Sequence, residues 1–351
     1  MRLRDISEGE LLGQVFPVYA GTRPPAWGSV PVGPGDDAAV VGAPGGSVVV
    51  TTDTMVRGRD WRDEWSSAHD VGVKVATQNL ADIAAMGAEP TALLVALVAD
   101  PDLEVEWAVD LARGIASVAE QAGAPVVGGD LSSGGPGVVV VAVTAFGDLR
   151  GRAPVLRSGA RVGDVVAVCG SLGLSGGGLL LLERGEADPD RTSATTGDGT
   201  ASDVLGERDL AVRALMRHHR APVAPWRAGP VAADAGAHAL VDVSDGLVTD
   251  LGRVAGASGV SVDLDGSALR DRFAAGPLSL ALGPREALHQ VLAGGEEHAL
   301  VATFADEGSV PRDDDEPWRV IGRVLAAGPG GPRVTVDGAV PDARGWDHFA
   351  R

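Results

Sequence analysis

Ala68-His-Asp-Val-Gly-Val-Lys-Val-Ala-Thr-Gln-Asn-Leu-Ala-Asp-Ile-Ala-Ala-Met86 is followed, after Gly-Ala-Glu-Pro90, by Thr91-Ala-Leu-Leu-Val-Ala-Leu-Val98. Two hydrophobic patterns of different period meet here. In the first, Val71, Val75, Ile83 and Met86 fall on one broad apolar face, and Lys74, Gln78 and Asp82 stand four apart on another, which predicts an amphipathic helix. The second is an apolar run of strand length. A helix that feeds a strand is the unit of an α/β protein, and the alternation continues along the chain. Further strands are expected at Ser47 to Thr51, Pro125 to Val127, Val138 to Gly147, Asp164 to Cys169, Ala239 to Val243, Val260 to Leu264, Ala299 to Phe304 and Trp318 to Val324. Further helices are expected at Val105 to Gln121 and Leu247 to Ala255.

With 351 residues, 45% of them hydrophobic, the chain has material for about two domains. A boundary is expected near residue 150, where Asp148-Leu-Arg-Gly-Arg-Ala-Pro154 separates two strands, giving domains 1–150 and 151–351. The small polar residues of 183–208 predict a flexible insertion.

The formal charge of −19 and a single lysine, Lys74, exclude a nucleic-acid partner, since phosphate backbones are bound by clustered basic side chains. An anionic membrane surface is disfavoured for the same reason. No apolar run approaches the ~18 residues of a membrane span. Met1-Arg-Leu-Arg-Asp-Ile-Ser-Glu8 has no hydrophobic secretory core, so a cytoplasmic protein is expected. Cys169, the only cysteine, lies in a strand pattern and reads as a small core residue.

The sole lysine is not in a Gly-Lys-Ser/Thr loop, which excludes a P-loop NTPase. His-Glu-x-x-His, Cys-x-x-Cys and Gly-x-Ser-x-Gly are absent. The seven histidines, His69, His218, His219, His238, His289, His298 and His348, show no metal-ligand spacing and are expected at surface or structural positions. Gly176-Gly-Gly178 lacks dinucleotide-fold spacing and reads equally as a tight turn or a ligand contact.

What the chain does contain is a series of aspartates beside glycine or hydroxyl residues: Gly35-Asp-Asp37, Thr51-Thr52-Asp53-Thr, Asn79-Leu-Ala-Asp82, Gly128-Gly129-Asp130 and Asp242-Val-Ser244-Asp245-Gly. Each alone is the signature of a turn or helix cap. At strand ends of an α/β sheet they would converge on one edge and repel one another unless divalent cations neutralised them. Magnesium suits this set, because it takes oxygen ligands, one or two of them carboxylates, and completes its shell with water and phosphate oxygens. An acidic site can thereby hold an anionic nucleotide. Arg157 could clamp phosphate, and Ser244-Asp245 precedes a helix N-terminus that favours anions.

The ordered set, extended by Arg157-Ser-Gly, Gly-Gly-Glu296 and Gly345-Trp-Asp-His-Phe349, resembles the thiamine-monophosphate kinase family, of the superfamily that includes aminoimidazole ribonucleotide synthetase. The resemblance spans nearly the whole chain apart from the insertion. It implies a two-domain α/β (α+β) fold, with an N-terminal mixed sheet that binds ATP and magnesium and carries packed helices, and a C-terminal α/β domain. It implies ATP-dependent phosphorylation of thiamine monophosphate to thiamine diphosphate in a homodimer, with several magnesium ions, and leaves potassium open. Carried over by motif, Asp37, Thr51, Thr52, Asp53, Asp82, Asp130, Asp242 and Asp245 would hold metal. Gly129, Asp130, Arg157 and Ser244 would meet ATP, and Glu296 and Trp346 the thiamine substrate. Asp53, Asp130, Asp245 and Arg157 would carry catalysis. The acceptor is itself an ionised phosphate, so no general base is required. Catalysis then rests on alignment and charge neutralisation.

Two stretches depart from the family pattern. Asp60 stands where the family commonly carries histidine, and an anion there would face the cationic rings of the substrate rather than its phosphate. Glu297-His298-Ala299 replaces the usual Asp-Tyr-Glu. The alternatives are a selenophosphate or aminoimidazole ribonucleotide synthetase type of enzyme, or a non-catalytic metal-binding protein. Selenophosphate synthetases depend on an early reactive cysteine or selenocysteine, and hydrogenase-maturation relatives end in cysteine, neither of which occurs here. Calcium-binding loops are contiguous, whereas these aspartates are dispersed.

Overall fold

A computed structural model of the chain describes residues 1–26, 28–30, 41–188, 190, 206–313, 315–343 and 345–346. The chain divides into two compact units, Met1–Pro154 and Val155–Arg351. Asp37 and residues 191–205 of the expected insertion lie outside the described residues. Among the described residues, no helix is long and apolar enough to cross a membrane.

The first unit is built on strands β1 (Val49–Val56), β2 (Glu89–Ala99), β3 (Val126–Ser133) and β4 (Val139–Asp148), in the order β1-β4-β2-β3. Only β2 and β3 run parallel. Among the described residues, its α-helices are α1 (Glu8–Tyr19), α2 (Ala68–Ala85) and α3 (Val105–Ala122). The start of α2 is set by a reciprocal cap: Asp70 N–H donates to Ser67 Oγ, and Ser67 N–H donates to the Asp70 carboxylate. The polar face expected on this helix is not solvated, because α2 packs against both the sheet and α3, leaving Lys74 only 3% exposed. The two helices approach closely at Gly72 and Gly114. A Cβ at Gly72 would overlap the Leu111 carbonyl, and one at Gly114 the His69 carbonyl.

Strand lengths matter for the site. β1 continues from the expected Ser47 to Thr51 through Asp53, and β3 continues from Pro125 to Val127 through Asp130. These aspartates therefore stand inside strands, not beyond their ends. Register assigns them to faces: Thr51, Asp53 and Met55 align with Ala145, Val143 and Val141 on the face covered by α2. Thr52 aligns with Thr144 and Asp130 with Ala96, on the opposite face. That second face carries Val50, Val56, Leu94 and Phe146. It borders a cavity of about 1070 Å³ that Leu12, Val15 and Phe16 of α1 also line.

The second unit has strands β5 (Val165–Cys169), β6 (Ala239–Asp242), β7 (Val260–Leu264), β8 (Leu300–Phe304), β9 (Trp318–Ala326) and β10 (Val334–Val336), in the order β10-β7-β9-β5-β8-β6. All neighbours are antiparallel except β10 and β7. Its helices are α4 (Leu174–Glu183), α5 (Glu207–Arg220), α6 (Ala228–Asp234), α7 (Leu247–Ser258), α8 (Gly266–Leu269), α9 (Pro277–Leu282) and α10 (Pro284–Ala293). Because β6 and β8 are antiparallel, with Asp242 opposite Leu300, the chain leaving β6 and the chain entering β8 lie side by side. This juxtaposition sets the Asp242–Gly246 turn against the Gly294–Ala299 segment. Cys169 is buried in β5, and burial pushes its thiol up to about 12, so it is an inert core residue.

Candidate active site

Three of the expected residues share the α2-covered face of the first unit's sheet. Thr51 Oγ1 donates to Asp82 Oδ2 at 2.7 Å, and Asp53 follows Thr51 on the same face. Asp82 is delivered by α2, whose close packing against the sheet puts a helix carboxylate beside a strand hydroxyl. Thr52 and Asp130 belong to the other face. Thr52 Oγ1 donates to the Val143 carbonyl at 3.0 Å, and Asp130 accepts from Ser132 Oγ at 3.0 Å. Gly129 has a packing reason to be glycine, since a Cβ there would overlap the Val95 carbonyl of β2. The expectation that all the aspartates converge on one sheet edge does not hold within this unit. A mixed sheet with carboxylates inside its strands distributes them over two faces. Asp60 closes the turn after β1, where one of its carboxylate oxygens accepts from Val56 N–H at 2.7 Å.

The second unit gathers the rest more tightly. Asp242 ends β6, and Ser244 and Asp245 turn the chain into α7 through Gly246, whose φ of 115° is open to glycine alone. A buried carboxylate, Asp250, organises the turn by accepting from the N–H groups of Ser244, Asp245 and Gly246 at 3.1, 3.0 and 3.1 Å. Burial and the Asp242 charge push the Asp250 carboxyl up to about 7, against the pull of Asp245 N–H and Arg253. Arg253 bridges Asp245 and Asp250.

Glu296 docks on this turn from the neighbouring segment, its N–H donating to the Ser244 carbonyl at 2.7 Å. The C-terminal segment docks from another side: Gly345 N–H donates to Thr249 Oγ1 at 3.1 Å and Trp346 N–H to the Asp245 carbonyl at 2.9 Å. Trp346 is thus held by its backbone, and the residue is 54% exposed rather than buried in the core. Asp242, Ser244, Asp245, Glu296 and Trp346 therefore form one locus. Arg157 is not part of it within this unit. Its carbonyl accepts from Ser258 Oγ at the C-terminal end of α7, roughly 15 Å or more along the helix from Asp245 at 1.5 Å per residue.

Several residues at this locus were not among the expected site residues. Glu297 is fully buried and accepts from Ser171 Oγ at 2.9 Å and from Ser175 N–H at the start of α4, with His218 Nε2 at 3.2 Å. His219 Nδ1 lies 3.4 Å from Glu296 Oε2. His298 Nδ1 lies 3.4 Å from Asp242 Oδ2. The signal for Glu297 and His298 was their departure from the family motif. For His218 and His219 there was none, because their partners are about 80 residues away in sequence.

The donor set is suited to magnesium. Every candidate ligand is a carboxylate or hydroxyl oxygen. Among the described residues, no three His, Cys, Asp or Glu groups enclose an ion. Magnesium usually takes one or two carboxylates and completes its octahedron with phosphate oxygens and water. The second-unit locus is acidic, with Asp242, Asp245, Asp250, Glu296 and Glu297 set against Arg253 and three histidines.

Residues 35–149 match the family model described as AIR synthase related protein, N-terminal domain, and residues 161–334 match its C-terminal domain. A thiamine-monophosphate kinase of Mycobacterium tuberculosis is 44% identical over 331 residues, covering 94% of this chain and 88% of that protein. The chain belongs to the thiamine-monophosphate kinase family. The Corynebacterium glutamicum thiamine-monophosphate kinase is 38% identical over 320 residues, covering 90% of this chain and 88% of its own. Among solved structures, thiamine-monophosphate kinase from Stenotrophomonas maltophilia K279a superposes with a TM-score of 0.75 at 29% identity, covering 96% of this chain and 98% of its own. AaThiL complexed with AMPPCP and TMP superposes with a TM-score of 0.68 at 26% identity, covering 99% of each chain. Hydrogenase maturation protein HypE, at 17% identity and a TM-score of 0.65, shares the fold. A thiamine-monophosphate kinase family member thus has the two-unit α/β architecture of the AIR synthase related proteins.

Proposed function

We propose that this protein transfers the γ-phosphoryl group of ATP directly to thiamine monophosphate, forming thiamine diphosphate and ADP. The observation that carries the reading is the 44% identity to a curated thiamine-monophosphate kinase over 94% of the chain. The acidic locus with its exposed Trp346 supports it, because thiamine carries a cationic thiazolium that both carboxylates and an indole face attract.

Thr51, Asp53 and Asp82 in the first unit, and Asp242 and Asp245 in the second, are the groups to hold magnesium, with Asp37, Thr52 and Asp130 assigned by motif. Bound magnesium supplies charge neutralisation between two anionic phosphates. Ser244, at the head of α7, and Gly129, Asp130 and Arg157 are assigned to ATP, the last three on motif correspondence alone. Glu296 and Trp346 orient the thiamine rings, which leaves the terminal phosphate of the acceptor aimed at ATP. The nucleophile is an ionised phosphate oxygen, so the residues need only align it and exclude water. Asp60 is assigned to the cationic side of the substrate through the carboxylate oxygen not used by Val56. A cytoplasmic location belongs to the same reading, since ATP is the phosphoryl donor in it. Chelation tests the metal assignment: ATP consumption in the presence of thiamine monophosphate should stop with excess EDTA and return with added magnesium. Undiminished consumption under EDTA would overturn it.

A homodimer belongs to the same reading. Val50 is 60% exposed and Val56 37% exposed on an apolar sheet face, a pattern that a second copy would cover. Light scattering should give twice the chain mass of 35.5 kDa, and a monomer at micromolar concentration would contradict this.

A further inference from the structure

Gly176-Gly-Gly178 has no part in the proposed chemistry, yet its packing bears on the site. A Cβ at Gly178 would overlap the Leu215 carbonyl of α5, and one at Gly176 would press on Gly294 Cα at 2.6 Å. The bare face of α4 thus admits α5 on one side and the Gly294-Gly295 turn on the other. Their approach brings the last turn of α5 to Glu296.

The meeting point is His219. Its Nδ1 lies 3.2 Å from Ser175 Oγ and 3.4 Å from Glu296 Oε2, and the residue is only 5% exposed. In the tautomer that carries its proton on Nδ1, the ring donates toward the Ser175 hydroxyl and the Glu296 carboxylate. The adjacent His218 is engaged with Glu297, so the two histidines serve different carboxylates. Glu296 sits at φ 60°, a left-handed conformation uncommon for a residue with a side chain, held by its N–H bond to Ser244. Its backbone is fixed by the Asp242–Gly246 turn and its carboxylate end by His219.

We propose that His219 is a positioning residue that holds the Glu296 carboxylate in the orientation that receives the cationic ring of thiamine monophosphate. This rests on the kinase reading above and adds a determinant of substrate affinity outside the contact set.

Three variants test it, each compared with wild type for KM and kcat. His219→Asn keeps an N–H close to the Nδ1 position, His219→Gln moves it outward, and His219→Leu removes it. The expected result is a KM for thiamine monophosphate near wild type in the Asn variant and raised about tenfold in the Gln and Leu variants, with KM for ATP and kcat within twofold. In a Glu296→Ala background, the same His219 substitutions should leave KM for thiamine monophosphate unchanged, because the group they position is gone. If the Leu variant does not fold, the contrast between Asn and Gln decides. Equal KM values across the variants, or an undiminished effect in the Glu296→Ala background, would overturn the proposal while leaving the kinase reading intact. Failure of wild type to form thiamine diphosphate would instead overturn the kinase reading and this role together.

Discussion

Asp53→Asn is expected to lower kcat by about 10³-fold, equivalent to about 4 kcal/mol of transition-state stabilisation, while moving the unfolding temperature by no more than a few degrees. Asp53 is half-buried in the middle of β1, on the face where Thr51 donates to Asp82. Asparagine keeps the shape and the strand pairing and removes one negative charge. A structural role for Asp53 would make the exchange costly to stability and cheap to turnover; a metal-holding role reverses that order. Single-turnover phosphoryl transfer and thermal unfolding, measured side by side at saturating magnesium, separate the two. Turnover within tenfold of wild type would remove Asp53 from the metal set.

Glu297→Ala is expected to cost about 3–5 kcal/mol of folding stability, the range for removing one partner from a buried charged network. Glu297 is fully buried and takes hydrogen bonds from Ser171 and from Ser175 N–H at the head of α4, beside His218. Truncation leaves a helix N-terminus, a hydroxyl and an imidazole facing a dry void. Glu297→Gln keeps an acceptor for Ser175 and should cost about half as much. Urea unfolding midpoints of the two variants check this, and a loss below 1 kcal/mol for Glu297→Ala would show that the network does not hold α4 in place.

How far the sequence could be read depended on whether the decisive neighbours were local. The α2 helix and β7 were legible to within a residue, the helix because its hydrophobic period is long and β7 because Val260, Val262 and Leu264 alternate strictly with polar residues. α4 was not, because Gly176-Gly-Gly178 is a poor intrinsic helix former, and the helix depends on packing against α5 and the Gly294 turn that no local pattern reveals. β10 was too short to register. Asp242, Asp245, Glu296 and Trp346 were legible as candidates from their motifs, but their convergence depends on β6 and β8 being antiparallel neighbours. The strand ends expected before Asp53 and Asp130 were misplaced because Thr-Thr-Asp-Thr and Gly-Gly-Asp read locally as turns, whereas pairing with β4 and β2 carries the strands through them. His219 carried no sequence signal at all, since its meaning lies in a contact with a carboxylate from another element.

The most direct test of the central claim is product identity. Purified protein with ATP and magnesium should convert thiamine monophosphate to thiamine diphosphate with an equal amount of ADP, and should leave free thiamine unphosphorylated in a parallel reaction. ATP consumption without thiamine diphosphate, or phosphorylation of free thiamine in its place, would contradict the assignment of thiamine monophosphate as the acceptor.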